Sequence, residues 1–385
     1  MVLAKTPPRI VDRESEIGTL VSSMLDSKKN LNYAVIGFRR IGKTTILKEV
    51  KRRLTEGKLI VVYLDFSLRR YDPIGFFKDV VNEATRAYHD LASPKHTVLD
   101  NVRAVVRRMA QLGRARIRTE ITVDPVTGQP SIGVLPYLKE EEPDYSAVFR
   151  STFDYVNQIA DRSKTRAVII IDEFQYMTEW KRYSGLEAVS EQLKSVIESR
   201  GDVSFIVSGS RSHFLKDFLS SGRSPLFGLF NIIEVSHLDK KASKELYVMN
   251  DSTAGEKDAE EAYRLVSGHP YYLVALAASR GAGEPIGETY QRILTSSTGP
   301  LNLYVKYVLA EDIGTFARGP IMSEILRALS QGPLTASGIA KASGVKLTSL
   351  PKFLRRLIDL DLVGKEGGKY QIIDRVIADY LKLNP

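Results

Sequence analysis

With 385 residues, 43% of them apolar, the chain is long enough for two or three domains, each with a proper core. It has no cysteine and five scattered histidines (His89, His96, His213, His237, His269), which excludes disulfide frameworks, thiolate nucleophiles and zinc ribbons and leaves oxygen ligands for any metal. The formal net charge of +9 favours a polyanionic partner; no run of roughly 18 apolar residues suggests a membrane span and no basic-apolar-small leader suggests secretion, so a cytoplasmic protein is expected.

Tyr33 to Ile36 reads as a buried strand. The next eight residues, Gly37-Phe-Arg-Arg-Ile-Gly-Lys43-Thr44, fit G-x-x-x-x-G-K-[ST], in which a loop between strand and helix turns its backbone N–H groups around phosphates. Gly37 and Gly42 allow the tight curl. Lys43 is expected to reach the β- and γ-phosphates, and Thr44 to hold Mg²⁺ through its hydroxyl. A helix from Thr45 to about Leu54 aims its positive end at the same anion. Arg39, Arg40, Ile41 and Thr45 complete the set expected to line the nucleotide.

Lys58 to Ser67 reads as a second buried strand and Pro73 to Leu91 as a helix; this alternation argues for an α/β fold with a parallel sheet covered on both faces. Residues 101–119 hold six arginines and no acid, a second candidate nucleic-acid surface or a helix that closes on the core. Residues 115–136 alternate apolar and polar around a Pro125-to-Pro130 turn, which predicts a β-hairpin, either an arm or a cover for a sheet edge.

A helix from Asp144 leads to an apolar strand, Val168 to Ile171, that runs into Asp172 and Glu173. About 130 residues after a phosphate loop this pair supplies what the loop lacks. Asp172 would orient a water of the Mg²⁺ shell, and Glu173, one residue beyond and clear of the strand, would polarise the water that attacks the γ-phosphate. Another helix and another apolar strand follow, ending in Ser208 and Ser210. Either hydroxyl is a candidate to sense the γ-phosphate or hold the attacking water, and either is equally suited to cap the next helix. Three strands ending in polar side chains on one sheet edge place the ligand there. The Asn/Thr-Lys-x-Asp loop that selects guanine is not supplied by residues 238–243 (LDKKAS), so ATP and ADP are the expected nucleotides.

These pieces, in this order, resemble the archaeal ATPase family of the STAND branch of AAA+ proteins over nearly the whole chain. Ile10 to Glu16 looks like that family's apolar-x-x-Arg-Glu-x-Glu box, and the resemblance places Arg13 beside the adenine. Ser267-Gly268-His269-Pro270 looks like its Gly-x-Pro motif in a helical lid, which implies that His269 and Pro270 touch the nucleotide. On its own chemistry the same stretch is equally a corner where one helix stops and Pro270 starts the next. The family's Pro-Leu-Tyr-Gly-Arg is here Pro225-Leu-Phe-Gly-Leu229, without the arginine, so a transition-state charge would come from Arg211, Arg223 or a neighbouring subunit of a homo-oligomer, or else hydrolysis is slow.

Residues 320–385 hold ten Lys or Arg against six acids and read as a winged helix. Met322 to Ser330 is a first helix, Ala336 to Ala342 a second, and a third is capped by Thr348, with Leu350, Leu354 and Leu357 inward. Lys346, Ser349, Lys352, Arg355 and Arg356 are then expected to face out, and Lys365 and Lys369 flank the wing. In DNA-binding relatives of this shape the third helix enters the major groove and the wing touches phosphates; in others the domain binds protein. The expected architecture is a P-loop AAA+-like core over residues 1–235, a helical lid over 236–312 and a winged helix over 313–385. The expected function is an ATP-hydrolysing switch that couples nucleotide state to double-stranded DNA; the alternatives are a replication-initiator or helicase-loader type of ATPase and a signalling ATPase whose winged helix binds protein.

Overall fold

A computed structural model of the protein describes residues 10–26, 28, 30–66, 72–91, 144–199, 201–314 and 319–384, together with the backbone of 118–123 and 130–135. In the first half, helix α1 (Glu14–Leu25) precedes β1 (Tyr33–Ile36), α2 (Lys43–Glu56), β2 (Ile60–Asp65) and α3 (Pro73–Leu91). The hairpin β3 (Arg118–Val123) and β4 (Pro130–Leu135) follows, then α4 (Tyr145–Ser163), β5 (Ala167–Asp172), a 3-10 helix (Phe174–Arg182), α5 (Val189–Ser199), β6 (Val203–Gly209), α6 (Ser212–Ser220) and β7 (Asn231–Glu234).

The sheet runs β2-β5-β6-β1-β7 with every pairing parallel. Its strands are apolar at consecutive positions because both faces are covered. Ala34, Ile36, Ile169, Ile171, Phe205 and Val207 point into the layer filled by α3 and α4, where Phe76, Phe77, Phe149 and Trp180 meet. Alternate residues Val35, Val168, Ile170 and Ile206 point the other way, onto α1 and α2. Parallel alignment brings Ile36, Asp172 and Gly209 to one edge of the sheet, and all the loops that matter leave from it. The hairpin is antiparallel and forms a sheet of its own. The six-arginine stretch lies outside the described residues as far as residue 117.

The second half is helical: α7 (Lys240–Asn250), α8 (Glu256–Val266), α9 (Pro270–Ser279), α10 (Ile286–Thr295) and α11 (Pro300–Leu309), a π-turn at Ala310–Gly314, then α12 (Gly319–Ser330), α13 (Ala336–Ser343) and α14 (Leu350–Asp359). The hairpin β8 (Val363–Glu366) and β9 (Lys369–Ile372) and helix α15 (Arg375–Leu383) close it. A single apolar core runs from Leu238 to Leu381. Tyr272 donates its hydroxyl to Asp374, which caps α15, and Tyr290 bonds Asp379, so the last helix is tied to the helices before the π-turn.

One local expectation changes. The residue before α14 is Ser349, not Thr348, and no side chain caps this helix. The carbonyl of Lys346 accepts from the N–H groups of both Ser349 and Leu350, so the backbone turn does what a hydroxyl was expected to do. Among the described residues no helix is long and apolar enough to cross a membrane.

Candidate active site

The loop between β1 and α2 is shaped by its glycines. Gly42 precedes α2 at φ 107°, a conformation that side chains resist. Gly37 lies so close to the next strand that an added Cβ would meet the Val235 carbonyl at 2.6 Å. No side chain caps α2 and no acid stands in its first turn, so its leading N–H groups keep the character of an anion site. Lys43 is buried and donates to the carbonyls of Gly37 and Phe38, both at 2.8 Å. Burial pulls its ammonium below the ordinary lysine range, opposed by Glu173 and Asp172.

Across from the loop, Asp172 ends β5 in a fully enclosed position. One carboxylate oxygen accepts from Thr44 Oγ1 at 2.6 Å and Tyr63 Oη at 3.2 Å. The other accepts from the Ser208 hydroxyl and from the Glu173 N–H at 3.1 Å. This places a hydroxyl and a carboxylate side by side, the oxygen donor set that a hard cation such as Mg²⁺ takes when phosphates complete its shell. Among the described residues no three His, Asp or Glu side chains gather into a metal site of their own.

Glu173 departs from the strand through a left-handed backbone, φ 56°, at a cost of about 1–3 kcal/mol for a non-glycine residue. This geometry turns its side chain toward the loop instead of along β5. Oε2 accepts from Ser210 Oγ at 2.8 Å, from the Ser210 N–H at 3.2 Å and from the Gln175 amide. The two serines that sequence left interchangeable are thus divided: Ser208 is wholly buried against Asp172, and Ser210 holds Glu173 at the cleft.

The cleft has a volume of about 430 Å³ and is lined by Arg39, Arg40, Gly42, Lys43, Thr44, Thr45, Glu173 and Ser210 with three tyrosines, 176, 304 and 307. Tyr304 and Tyr307 come from the helical half, and so do the partners of the two loop arginines. Arg39 bonds Asp312 at 2.8 Å. The Arg40 guanidinium lies 4.2 Å from the centre of the Tyr271 ring and 4.6 Å from that of Tyr304.

Other expected site residues sit behind the loop. Arg13 is buried and donates to the carbonyls of Ser236 at 2.6 Å and Ile41 at 3.4 Å; Ile41 is fully enclosed. His269 is buried before Pro270, which opens α9. Its Nε2 meets the Arg39 carbonyl at 3.1 Å and its ring stacks on Tyr272 at 4.1 Å. Burial drives its pKa down to about 3. These residues brace the loop from behind and do not line the 430 Å³ cleft.

Two placements correct the sequence expectation. Arg223 is exposed in a separate groove with Lys181, Glu187, Glu191 and Asp217, because the loop after α6 leads away from the sheet's ligand edge. Arg211 stays near the cleft, 3.8 Å from Asp312. Arg356 does not face outward: α14 packs on α6, and Arg356 is half-buried among Arg211, Asp359 and Asp312. Lys346, Lys352, Arg355, Lys365 and Lys369 are exposed, and Ser349 is half-buried. At the same junction Asp361 accepts from the N–H groups of Ser212 and His213 and meets His213 Nδ1 at 2.6 Å, so the C-terminal half caps the helix that follows the Ser208–Ser210 strand.

Sequence reasoning assigned no site role to Tyr63, Gln175, Tyr176, Tyr304, Tyr307, Asp312 and Asp361. None belongs to a spacing motif. Tyr63, a polar tip inside an apolar strand that ends in Asp65, was the only one carrying a local signal.

Comparison with known proteins agrees with this geometry. The family of ATPase domains predominantly from Archaea matches residues 10–276. The fold is similar to that of a Walker-type ATPase of Pyrococcus abyssi, with a TM-score of 0.65 at 21% identity over 99% of each chain. It is also similar to the ORC2 protein of Aeropyrum pernix in ADPNP–ADP complexes, with a TM-score of 0.55 at 12% identity over 99% of this chain and 95% of that one. No curated protein matches. With its phosphate loop, its paired acids and a family match over more than half its length, the chain belongs to the P-loop ATPases whose domain is found predominantly in Archaea.

Proposed function

We propose that this ATPase is a Mg²⁺-dependent molecular switch in which ATP, held between the phosphate loop and the helical half, sets the presentation of a C-terminal winged helix to double-stranded DNA. The reading treats residues 1–235 as the ATPase core, 236–312 as the lid and 313–385 as the winged helix, with β8 and β9 as the wing. Thr44 and Asp172 would hold Mg²⁺, which supplies charge neutralisation between the β- and γ-phosphates. Lys43 and the first turn of α2 bind and orient the phosphates. Glu173 receives a proton from, or polarises, the attacking water while Ser210 and Gln175 keep its carboxylate aimed. Ser208 and Tyr63 position Asp172.

The observation that carries the coupling is that the phosphate loop is gripped by the other half of the molecule. Arg39 is held by Asp312 and Arg40 by Tyr271 and Tyr304. A phosphate arriving at this loop must therefore bargain with contacts that reach toward α12 and α14. A ligand shifts such an equilibrium only by its difference in affinity for the two arrangements.

The test is duplex-DNA binding by the full chain at two salt concentrations, without nucleotide, with ADP and with a non-hydrolysable ATP analogue, beside a Lys352→Ala/Arg355→Ala variant. Salt-sensitive binding that the analogue changes and the double substitution weakens is the expected result. Absence of duplex binding in every nucleotide state would remove DNA from the proposal and make the C-terminal unit a protein-docking module.

A further inference from the structure

Two arginines from separate segments pair with one carboxylate at the rim of the cleft, and a third adds its charge nearby. Arg39 belongs to the phosphate loop, Arg211 follows Ser210 at the end of β6, and Arg356 lies on α14. Asp312 is buried, 2.8 Å from Arg39 and 3.8 Å from Arg211, and Arg356 acts on the same charges. Asp312 sits in the π-turn between α11 and α12, the only segment of the helical half described here that places an acid against the loop arginines.

Both Arg39 and Arg211 flank Glu173. Arg39 shares the cleft wall with it, and Arg211 is the residue after the serine whose hydroxyl and N–H hold it. In the proposed mechanism Glu173 polarises the water that attacks the terminal phosphate, so the charge of that phosphate would arrive beside Arg39 and next to the Asp312 that also holds Arg211. A guanidinium fork recognises carboxylate and phosphate oxygens by the same geometry, so the two ligands compete for it.

We infer that Asp312 is the internal counter-anion of the cleft: it holds Arg39 and Arg211 until the terminal phosphate of ATP takes them, and its release frees the turn that leads into α12. Burial raises the pKa of this carboxyl, against the pull of Arg39 and Arg211, so a carboxylate displaced toward water loses a desolvation penalty as it leaves. ADP lacks the competing group and leaves the pairing in place. Asp312 thus supplies the difference between the two nucleotides. This inference deepens the switch reading but rests only on nucleotide binding at the phosphate loop.

The experiment is titration of the full chain with ADP and with a non-hydrolysable ATP analogue in Mg²⁺ buffer, for the native protein and for Asp312→Asn, Asp312→Glu and Arg39→Gln. Asp312→Asn is expected to tighten the analogue about tenfold while shifting ADP less than about twofold, and Asp312→Glu to restore the native ratio. Arg39→Gln is expected to weaken the analogue selectively; this variant keeps the carboxylate and tests the competition even if Asp312→Asn fails to fold. Equal shifts for both nucleotides in Asp312→Asn, weaker analogue binding in that variant, or an unchanged ratio in Arg39→Gln would each overturn the inference. No DNA is present, so a failure here is separate from a failure of the winged helix to bind duplex.

Discussion

The protein offers cations to anions in two places, and it builds them in opposite ways. At the cleft, Lys43 is buried on two loop carbonyls, Arg39 is held by Asp312, and Arg40 lies over two tyrosine rings. In the C-terminal unit, Lys346, Lys352, Arg355, Lys365 and Lys369 stand exposed, and among the described residues none of the five makes a salt bridge. Each cation of the first set already has a native partner that a ligand must replace, so occupancy has structural consequences. In the second set Lys352 and Lys365 lie over Phe353 and Tyr370 of the same unit, contacts that do not cross to the other half, so the set gains attraction but carries no switch of its own.

The largest break in this comparison comes from the acids that order the first set. Glu173→Gln keeps the shape and the Ser210 contact but removes the negative charge that, in the proposed mechanism, polarises water. ATP hydrolysis should fall by about 10³-fold while nucleotide affinity changes little; parallel turnover and equilibrium-binding assays separate the two. A matching loss of affinity would mean that Glu173 acts on the ground state.

The next effect is on stability and comes from the buried side of the loop. His269 has a native pKa of about 3 against an ordinary 6.5. Its folded form therefore holds fewer protons than the unfolded chain between those values, and stability is lost as pH falls below 6.5. The loss should be on the order of 2 kcal/mol by pH 5. Urea titrations at pH 7 and pH 5 measure it, and His269→Gln should flatten the dependence. An unchanged slope in that variant would assign the acid sensitivity elsewhere.

These two predictions also mark how far the sequence could be read. Gly37 to Thr44 and the pair Asp172–Glu173 are legible because phosphate and metal chemistry force particular residue types to particular spacings, and an apolar strand on either side fixes where they stand. The parallel sheet follows from the same strands. Which serine serves which acid was not legible, since it depends on where β6 ends: Ser208 is still in the strand beside β5, and Ser210 lies just past it. Arg356 was misplaced because a helical wheel knows the core of its own unit but not α6, which covers its flank. Asp312 was invisible because its partners lie 273 residues upstream and 101 upstream, with no motif joining them.

A smaller effect tests the aromatic grip on the loop. Arg40 is exposed, so each stack with Tyr271 or Tyr304 is worth about 0.5–1 kcal/mol. A double-mutant cycle between Arg40→Ala and Tyr304→Ala, read by urea unfolding, should return a coupling of about 0.5–1 kcal/mol. Zero coupling would leave the Arg39–Asp312 pair, the His269 contact with the Arg39 carbonyl and the Arg40–Tyr271 stack to tie the loop to the helical half.

The smallest effects per residue belong to the exposed set, and they bear directly on the opening contrast. An exposed cation without a salt bridge contributes to duplex binding by displacing counterions, so Lys352→Ala and Arg355→Ala should each reduce the log–log salt slope by about 1, largely independently of nucleotide. Arg356 sits on the same helix but is half-buried where Arg211 and Asp312 act on its charge. Arg356→Ala should therefore leave the slope unchanged and alter instead how much the ATP analogue changes DNA affinity. Slope measurements on the three single variants, each with and without the analogue, make the distinction. If Arg356→Ala lowers the slope as its neighbours do, α14 leaves α6 when it binds duplex, and the boundary between the paired and the exposed cations moves with the nucleotide.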